Sequence, residues 1–377
     1  GASGDGDRVE EPFPPLVEPV AALSDAERVR TARHAALAGF EDISQRRLAA
    51  AHVAVVGAGG LGSPAVLALA AAGVGTLTII DDDTVEVTNL QRQVMHRHAD
   101  VGAAKVDSAV RVSADLAPET VVHAVRERLT PDNAARLFAG AHLVIDGTDT
   151  FDTRAAVATA TEALGIPLVW GVVQEFHAQV TVFWSAPPPG TEAVRLTDLY
   201  PPESVGEVPT CAQVGVLGAL CIQVGGMLAT EAIKLIAGIG EPLMGRVAVI
   251  DSLRARQTEI PLRPRTATAS ASLPASPSAP IVHLTPAQAL NAQDAGAILL
   301  DVREPSETAT GVIPGSVLVP LATLLGDVSL VGEGPFVIVC HRGSRARRAA
   351  DALASHGIAA SVLEGGIAGW DREVVPA

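Results

Sequence analysis

Val55-Val56-Gly57-Ala58-Gly59-Gly60-Leu61-Gly62-Ser63 decides the fold. His52 to Val56 before it reads as a buried strand, and Ser63 to Ala72 after it as a helix. Gly57, Gly59 and Gly62 fit GxGxxG, the turn that aims backbone N–H groups and a helix N-terminus at an anion. The next strand, Leu77 to Ile80, ends in Asp81-Asp82-Asp83. Asp81 lies at about the spacing, roughly 20 residues on, at which an acid meets a ribose hydroxyl. The pattern predicts an α/β fold with a Rossmann-like doubly wound sheet and leaves the nucleotide open.

The residues downstream narrow it. Asn89-Leu90-Gln91-Arg92-Gln93 is followed by Lys105 and then by Asp146-Gly147-Thr148-Asp149. Nucleotidyl transfer works by positioning and by neutralising charge on phosphate oxygens, a requirement that hydride transfer lacks. Arg92 suits a bidentate phosphate clamp, Lys105 a mobile point charge, and Asp149 a Mg²⁺ that keeps most of its waters. Either cation alone reads as a solvated surface charge; joined to the turn, the set favours ATP over NAD.

GAGGLGSP, DDDTVEVTNLQRQVMH, VGAAKVDSA, DGTDTFDTR and CAQVGVLGALCIQVGGMLATEAIKLIAG, in that order, resemble the ThiF/MoeB adenylyltransferases, E1-like relatives of the ubiquitin-activating enzymes, from about residue 27 to about 260. The resemblance implies a ubiquitin-like sulfur carrier protein whose C-terminal Gly-Gly carboxylate attacks the α-phosphorus of ATP. It puts Gly57, Gly59, Gly60 and Gly62 on the phosphates and Asp81 on the ribose. Asn89, Arg92, Gln93 and Lys105 surround the triphosphate, and Asp149 falls on the metal position. Arg30-Thr31-Ala32-Arg33-His34 matches a segment that lends an arginine to the partner subunit, so Arg33 implies a homodimer; read alone, it is a surface arginine on a helix from Asp25 to Leu37.

Two departures follow. Family members carry two CxxC pairs that hold zinc; here Arg195 and Asp198 take the first pair's places, and RPRTATASAS stands where the second belongs. No zinc is expected, with an Arg195 to Asp198 ion pair as partial replacement, worth at most about 1 kcal/mol if exposed. Thr150 replaces the usual asparagine after Asp149.

The chain of 377 residues suffices for two or three domains. With 27 Lys+Arg against 42 Asp+Glu, its net charge of −15 argues against non-specific nucleic-acid binding. Apolar runs broken by Gly, Pro and charges argue against membrane insertion, and residues 1 to 23 read as a disordered arm without a signal peptide's basic and apolar regions. Three cysteines, Cys211, Cys221 and Cys340, suit a reducing, cytoplasmic setting.

After the first domain, 24–262, residues 263–280 are rich in Pro, Ala and Ser and read as a linker. The second domain, 281–377, runs strand Ala297 to Leu300 into Asp301-Val302-Arg303-Glu304, and strand Phe336 to Val339 into Cys340-His341-Arg342-Gly343-Ser344-Arg345. A cysteine among the N–H groups of a helix N-terminus and cationic side chains has the surroundings of a thiolate nucleophile. LLDVRE, GVIPGSVLVP, CHRGSRA and LEGGIAGW resemble the rhodanese family, with Val312 where a histidine is usual. The resemblance implies a persulfide on Cys340 cradled by the loop ending at Arg345, loaded by a cysteine desulfurase or another sulfur donor. The ThiF/MoeB resemblance implies that Cys211 stands where family members carry a conjugating cysteine; read alone, it is a small hydrophobe at the start of the helix Leu217 to Ile236, and Cys221 reads as core.

The expected reaction is carrier adenylation followed by transfer of the Cys340 sulfur to give a thiocarboxylate. Three alternatives stay open: an NAD-dependent dehydrogenase fused to a sulfurtransferase, a ligase acting on a peptide or small carboxylate, and a degenerate scaffold.

Overall fold

The computed structural model describes residues 13–201, 215–265 and 281–376. The chain divides into two compact units, residues 1–266 and 267–377. The segment read as a linker lies, from residue 266 to 280, outside the described residues.

The first unit is built on one eight-stranded sheet. In chain order its strands are β1 His52–Val56, β2 Thr76–Ile80, β3 Val121–Val125 and β4 Leu143–Asp146, then β5 Leu168–Gln174, β6 His177–Phe183, β7 Arg246–Asp251 and β8 Arg256–Pro261. Their spatial order is β3-β2-β1-β4-β5-β6-β7-β8. The first five pair in parallel, and β6, β7 and β8 extend the sheet antiparallel. β1, β2 and β4 are buried almost end to end, which explains their continuous apolar runs in place of alternation. The second unit has a five-stranded parallel sheet of order β11-β10-β12-β13-β9. Its strands are β9 His283–Leu284, β10 Ile298–Asp301, β11 Val317–Leu318, β12 Phe336–Val339 and β13 Ala360–Leu363.

Four expectations are corrected. Residues 13 to 23 are docked, because Phe13, Leu16 and Val17 are apolar and cover the end of the helix Gly218–Ala237. The Leu16 amide donates to the Leu235 carbonyl at 2.9 Å, Val17 is 3% exposed, and Phe13 packs on Trp184 with ring centroids 6.1 Å apart. The helix expected from Asp25 to Leu37 is broken at Thr31 into Asp25–Arg30 and Ala32–Ala35, the Thr31 hydroxyl bonding back to the Glu27 carbonyl at 2.8 Å. The apolar runs do not all stop short of a membrane-spanning length. Gly218–Ala237, 20 residues with a mean hydropathy of 1.5, is long and apolar enough, but much of it is buried in the core against β5, β6 and the helix Gly62–Ala72. Finally, Arg195 does not pair with the Asp198 carboxylate. Its guanidinium faces Glu162 at 3.9 Å, while Asp198 accepts two backbone N–H bonds, from Arg195 at 2.7 Å and from Arg265 at 2.8 Å. Asp198 thus ties together the two segments in which the family's cysteines would stand.

Candidate functional site

β1, β2 and β4 end in register, with Val56 opposite both Ile80 and Asp146, so Gly57, Asp81 and Gly147 leave the sheet side by side. Strand order reverses between β1 and β4, and the crevice at such a switch point is where open α/β sheets bind ligands. A cavity of about 300 Å³ opens there. Of the sequence-predicted residues, Gly57, Gly59, Gly60, Asp81, Arg92, Gln93, Lys105 and Asp149 line it.

Gly62 begins the helix Gly62–Ala72, and a Cβ there would fall 1.7 Å from the Gly57 carbonyl oxygen, so only glycine closes this turn. Asp81 accepts the Ala58 N–H at 2.7 Å and the Asp83 N–H at 2.8 Å, locking the turn to the end of β2. His96 supports it from beneath: its Nε2 meets the Ala58 carbonyl at 2.9 Å and its Nδ1 the Ser108 hydroxyl at 2.9 Å. Burial holds the imidazole below its ordinary pKa, against the opposing effect of the Ala58 bond, so the ring is a neutral bracket. Sequence reasoning missed His96, because its partner lies 38 residues away.

Lys105 opens the helix Lys105–Leu116 and is only 6% exposed. Its N–H donates to the Asp83 carbonyl at 3.0 Å and its Nζ lies 3.1 Å from the Asp83 carboxylate. Arg92 is half-buried on the cavity wall, with one Nη1 bond to the Thr88 carbonyl at 3.2 Å. Gln93 is buried, and its Oε1 finds no partner among the described residues. Asn89 does not line the cavity. Its side-chain oxygen takes the Glu86 N–H at 2.9 Å, while its carbonyl takes the N–H groups of Arg92 and Gln93 at 3.1 and 2.9 Å, so it positions those two residues.

Asp149 is exposed and lines the cavity, a hard oxygen ligand that fits Mg²⁺. Beside it, fully buried Asp146 accepts the Thr148 N–H at 2.9 Å and hydroxyl at 2.6 Å, and burial pushes its pKa up despite nearby Arg154. Arg154, also missed, lines the cavity and clamps the Thr148 carbonyl at 2.8 and 3.2 Å. Thr150 caps the helix Phe151–Leu164. Arg33 is exposed on the short helix Ala32–Ala35 and does not line its own chain's cavity. Cys221 is core at 3% exposure and also backs the cavity, its Sγ 3.3 Å from where a Gly60 Cβ would stand. Cys211 lies outside the described residues.

In the second unit Cys340 directly follows β12 and is 1% exposed. Its Sγ accepts the Gly343 N–H at 3.0 Å, and Gly343 precedes the helix Ser344–Ser355. The loop is backed by Gly366, where a Cβ would come within 2.5–2.7 Å of three backbone atoms of residues 340–342. Arg345 does not wrap the sulfur: both its terminal nitrogens go to Glu307 at 2.6 Å. Val312 is buried and bridges to Val375, its N–H donating to the Val375 carbonyl at 2.8 Å.

A glycine turn at a sheet switch point, with cations and a carboxylate converging on one cavity, defines a nucleotide-handling α/β enzyme; a buried cysteine whose sulfur takes a backbone N–H at the start of a helix adds a thiol-based transferase. The chain belongs to the ThiF family, which matches residues 31–271, and a rhodanese-like domain matches residues 285–373. It is 40% identical over 384 residues to the probable adenylyltransferase/sulfurtransferase MoeZ of Mycobacterium tuberculosis, covering 97% of this chain and 98% of that protein. It is 34% identical to the adenylyltransferase and sulfurtransferase MOCS3-1 of Zea mays, over 92% of this chain and 82% of that one. Over 58% of this chain and 81% of the relative, it is 42% identical to the sulfur carrier protein adenylyltransferase of Thermus thermophilus. Among solved structures, E. coli MccB with succinimide superposes with a TM-score of 0.53 at 20% identity, covering 63% of this chain and 71% of that one, a likeness of fold.

Proposed function

We propose that this enzyme adenylates the C-terminal Gly-Gly carboxylate of a ubiquitin-like sulfur carrier protein and replaces the activated oxygen with sulfur carried by Cys340. The pairing carries this reading: one chain, alike over 97% of its length to an adenylyltransferase/sulfurtransferase, holds both a charge-lined cavity and a cysteine whose sulfur takes the Gly343 N–H.

The glycine turn and helix N-terminus bind the phosphates, Asp81 the ribose, and Arg92 and Lys105 meet the charge that grows as the carboxylate attacks the α-phosphorus and pyrophosphate leaves. Asp149 would hold Mg²⁺, which supplies further neutralisation of the triphosphate. Arg33 reaches the nucleotide of a partner subunit in a homodimer. Cys340 thiolate attacks the sulfane sulfur of thiosulfate, or of a desulfurase persulfide, expelling sulfite or the donor thiolate. The resulting persulfide attacks the acyl-adenylate and expels AMP. Thiolate attack by Cys211 on the acyl disulfide releases the carrier thiocarboxylate and leaves a Cys211–Cys340 disulfide, which an external dithiol reduces. Asp198 takes the place of a zinc clip, and the setting is the reducing cytoplasm.

Intact mass of Gly-Gly-ended carriers after incubation with the enzyme, MgATP, thiosulfate and a dithiol tests this. Exchange of one oxygen for sulfur, dependent on ATP and lost in Cys340→Ala, is expected; an unchanged carrier in every combination overturns it.

A further inference from the structure

Glu307 takes the whole end of the Arg345 guanidinium, Nη1 to Oε2 and Nη2 to Oε1, both at 2.6 Å. The pair joins the short helix Pro305–Thr308 to the Cys340 loop across 38 residues of sequence. Glu307 is itself fixed: its Oε2 accepts the Glu304 N–H at 3.0 Å, and its carbonyl accepts Arg303 Nη1 at 3.3 Å. Arg303 in turn grips Asp301, at the end of β10, with both residues buried and the closest contact 2.7 Å. Arg345 therefore ends a series of committed partners that starts in the sheet. Its hydrogen bonds are the largest influence drawing the Glu307 carboxyl down to about 2, against partial burial, so Glu307 is ionised throughout the working range.

Bidentate pairing of this kind fixes both distance and plane. Arg345 cannot turn its terminal nitrogens to the sulfur without leaving Glu307, and the hydrogen bond Cys340 Sγ receives comes from the Gly343 backbone. Arg345 nevertheless feels the sulfur, which helps hold its guanidinium protonated after the larger effect of Glu307. Its positive charge thus acts at Cys340 with a carboxylate offsetting it.

We propose that Glu307 is a positioning residue of the sulfur-transfer site, fixing Arg345 as the strut of the Cys340 loop and offsetting its charge at the sulfur. The proposal rests on the reading of Cys340 as the sulfur-carrying group.

The test compares full-length wild type with Glu307→Gln, which keeps the acceptor for the Glu304 N–H but removes the charge, and Glu307→Asp, which keeps the charge. Alkylation of Cys340 by iodoacetamide, followed by peptide mass across pH without any sulfur donor, reads the charge at the sulfur. In Glu307→Gln the midpoint is expected to fall by about one pH unit, as when a nearby cation loses its counter-charge. Glu307→Asp is expected to titrate like wild type. In thiosulfate–cyanide transfer, Glu307→Gln is expected to lose about tenfold in kcat with KM nearly unchanged, because loop geometry and not donor binding is disturbed. Glu307→Asp should recover part of that loss. An unshifted alkylation midpoint in Glu307→Gln, or acceleration by the same factor at every pH in both variants, overturns the proposal and leaves only a staple that keeps the loop closed. Wild type that transfers no sulfur counts against the functional reading, and the alkylation profile still decides the role of Glu307.

Discussion

The two reactive regions manage charge in opposite ways. The nucleotide cavity leaves Asp149 exposed, Arg92 half-buried with one backbone bond, and the side-chain Oε1 of Gln93 without a partner among the described residues. Around Cys340 the sulfur is buried, Arg345 is held at both ends by Glu307, and Arg303 is locked on Asp301. The difference follows from who supplies the reacting charge. Phosphates arrive with their own, so the first site keeps polar groups in reserve; the sulfur nucleophile of the proposed reaction belongs to the protein, so its surroundings are finished before any substrate comes. Lys105 on Asp83, Asp81 on the Ala58 and Asp83 N–H groups and Arg154 on the Thr148 carbonyl are exceptions in the first site.

The largest expected effects separate the two regions. Cys340→Ala should abolish sulfur transfer and leave carrier-dependent ATP–pyrophosphate exchange at wild-type rate. Lys105→Ala should lower that exchange about 10²–10³-fold, the usual effect of removing one transition-state charge donor, and leave thiosulfate–cyanide transfer intact. Loss of both activities in either variant would break the division.

Backbone closure sharpens it next. Gly62→Ala puts a Cβ 1.7 Å from the Gly57 carbonyl, and Gly366→Ala puts one 2.5 Å from the Cys340 carbonyl at a φ of +57°. Neither backbone has room to yield, so each should destabilise its own unit by about 1–3 kcal/mol. Hydrogen exchange resolved by peptide should show loosening in the altered unit alone.

Gly62 was legible because its motif is local: turn, strand and helix sit within a dozen residues, and apolar runs with flanking turns marked β1, β2 and β12; the role of Gly366 was not, because the backbone it meets, at residues 340–342, is distant in sequence. Groups that work through distant partners were not. His96, Arg154 and Glu307 are ordinary polar residues until folding brings Ala58, Thr148 and Arg345 to them. Asn89 was read with the triphosphate ligands because it shares their motif, yet it does not line the cavity; its side-chain oxygen holds the Glu86 N–H and its backbone carbonyl the Arg92 and Gln93 N–H groups. The docked stretch from residue 13 looked disordered because prolines hide apolar spacing, while Phe13, Leu16 and Val17 needed a helix end to cover.

Acidification should also divide the units. In the first, burial holds His52, His96 and His142 below the ordinary value of 6.5. The unfolded chain then binds protons more readily, so the stability these histidines contribute is present above 6.5 and lost as pH falls through their folded values. Asp146, pushed up by burial, works in the other sense, and Asp146→Asn should steepen the loss. In the second unit Glu307, drawn down to about 2 from 4.5, contributes stability that is complete above 4.5 and lost only as pH falls through about 2. Between about pH 7 and about pH 5, hydrogen exchange corrected for intrinsic rates should quicken in the first unit and hold steady in the second.

The smallest effect tests how Arg195 and Asp198 share in holding their segment. An ion pair between Arg195 and Asp198 would make the two residues equally important. The structure makes them unequal: the Arg195 guanidinium only approaches Glu162, at 3.9 Å with both side chains partly exposed, whereas the Asp198 carboxylate holds two backbone N–H groups from separate segments. Exposed ion pairs contribute little, so Arg195→Ala should cost less than about 0.5 kcal/mol. Asp198→Ala frees two backbone donors, one of them capping the helix Leu196–Leu199, and should cost about 1 kcal/mol. Denaturant midpoints of the two variants measure the ratio. Equal losses would restore the ion pair, and a larger loss at Asp198 would mean that one carboxylate gathers the two segments that carry Arg195 and Arg265.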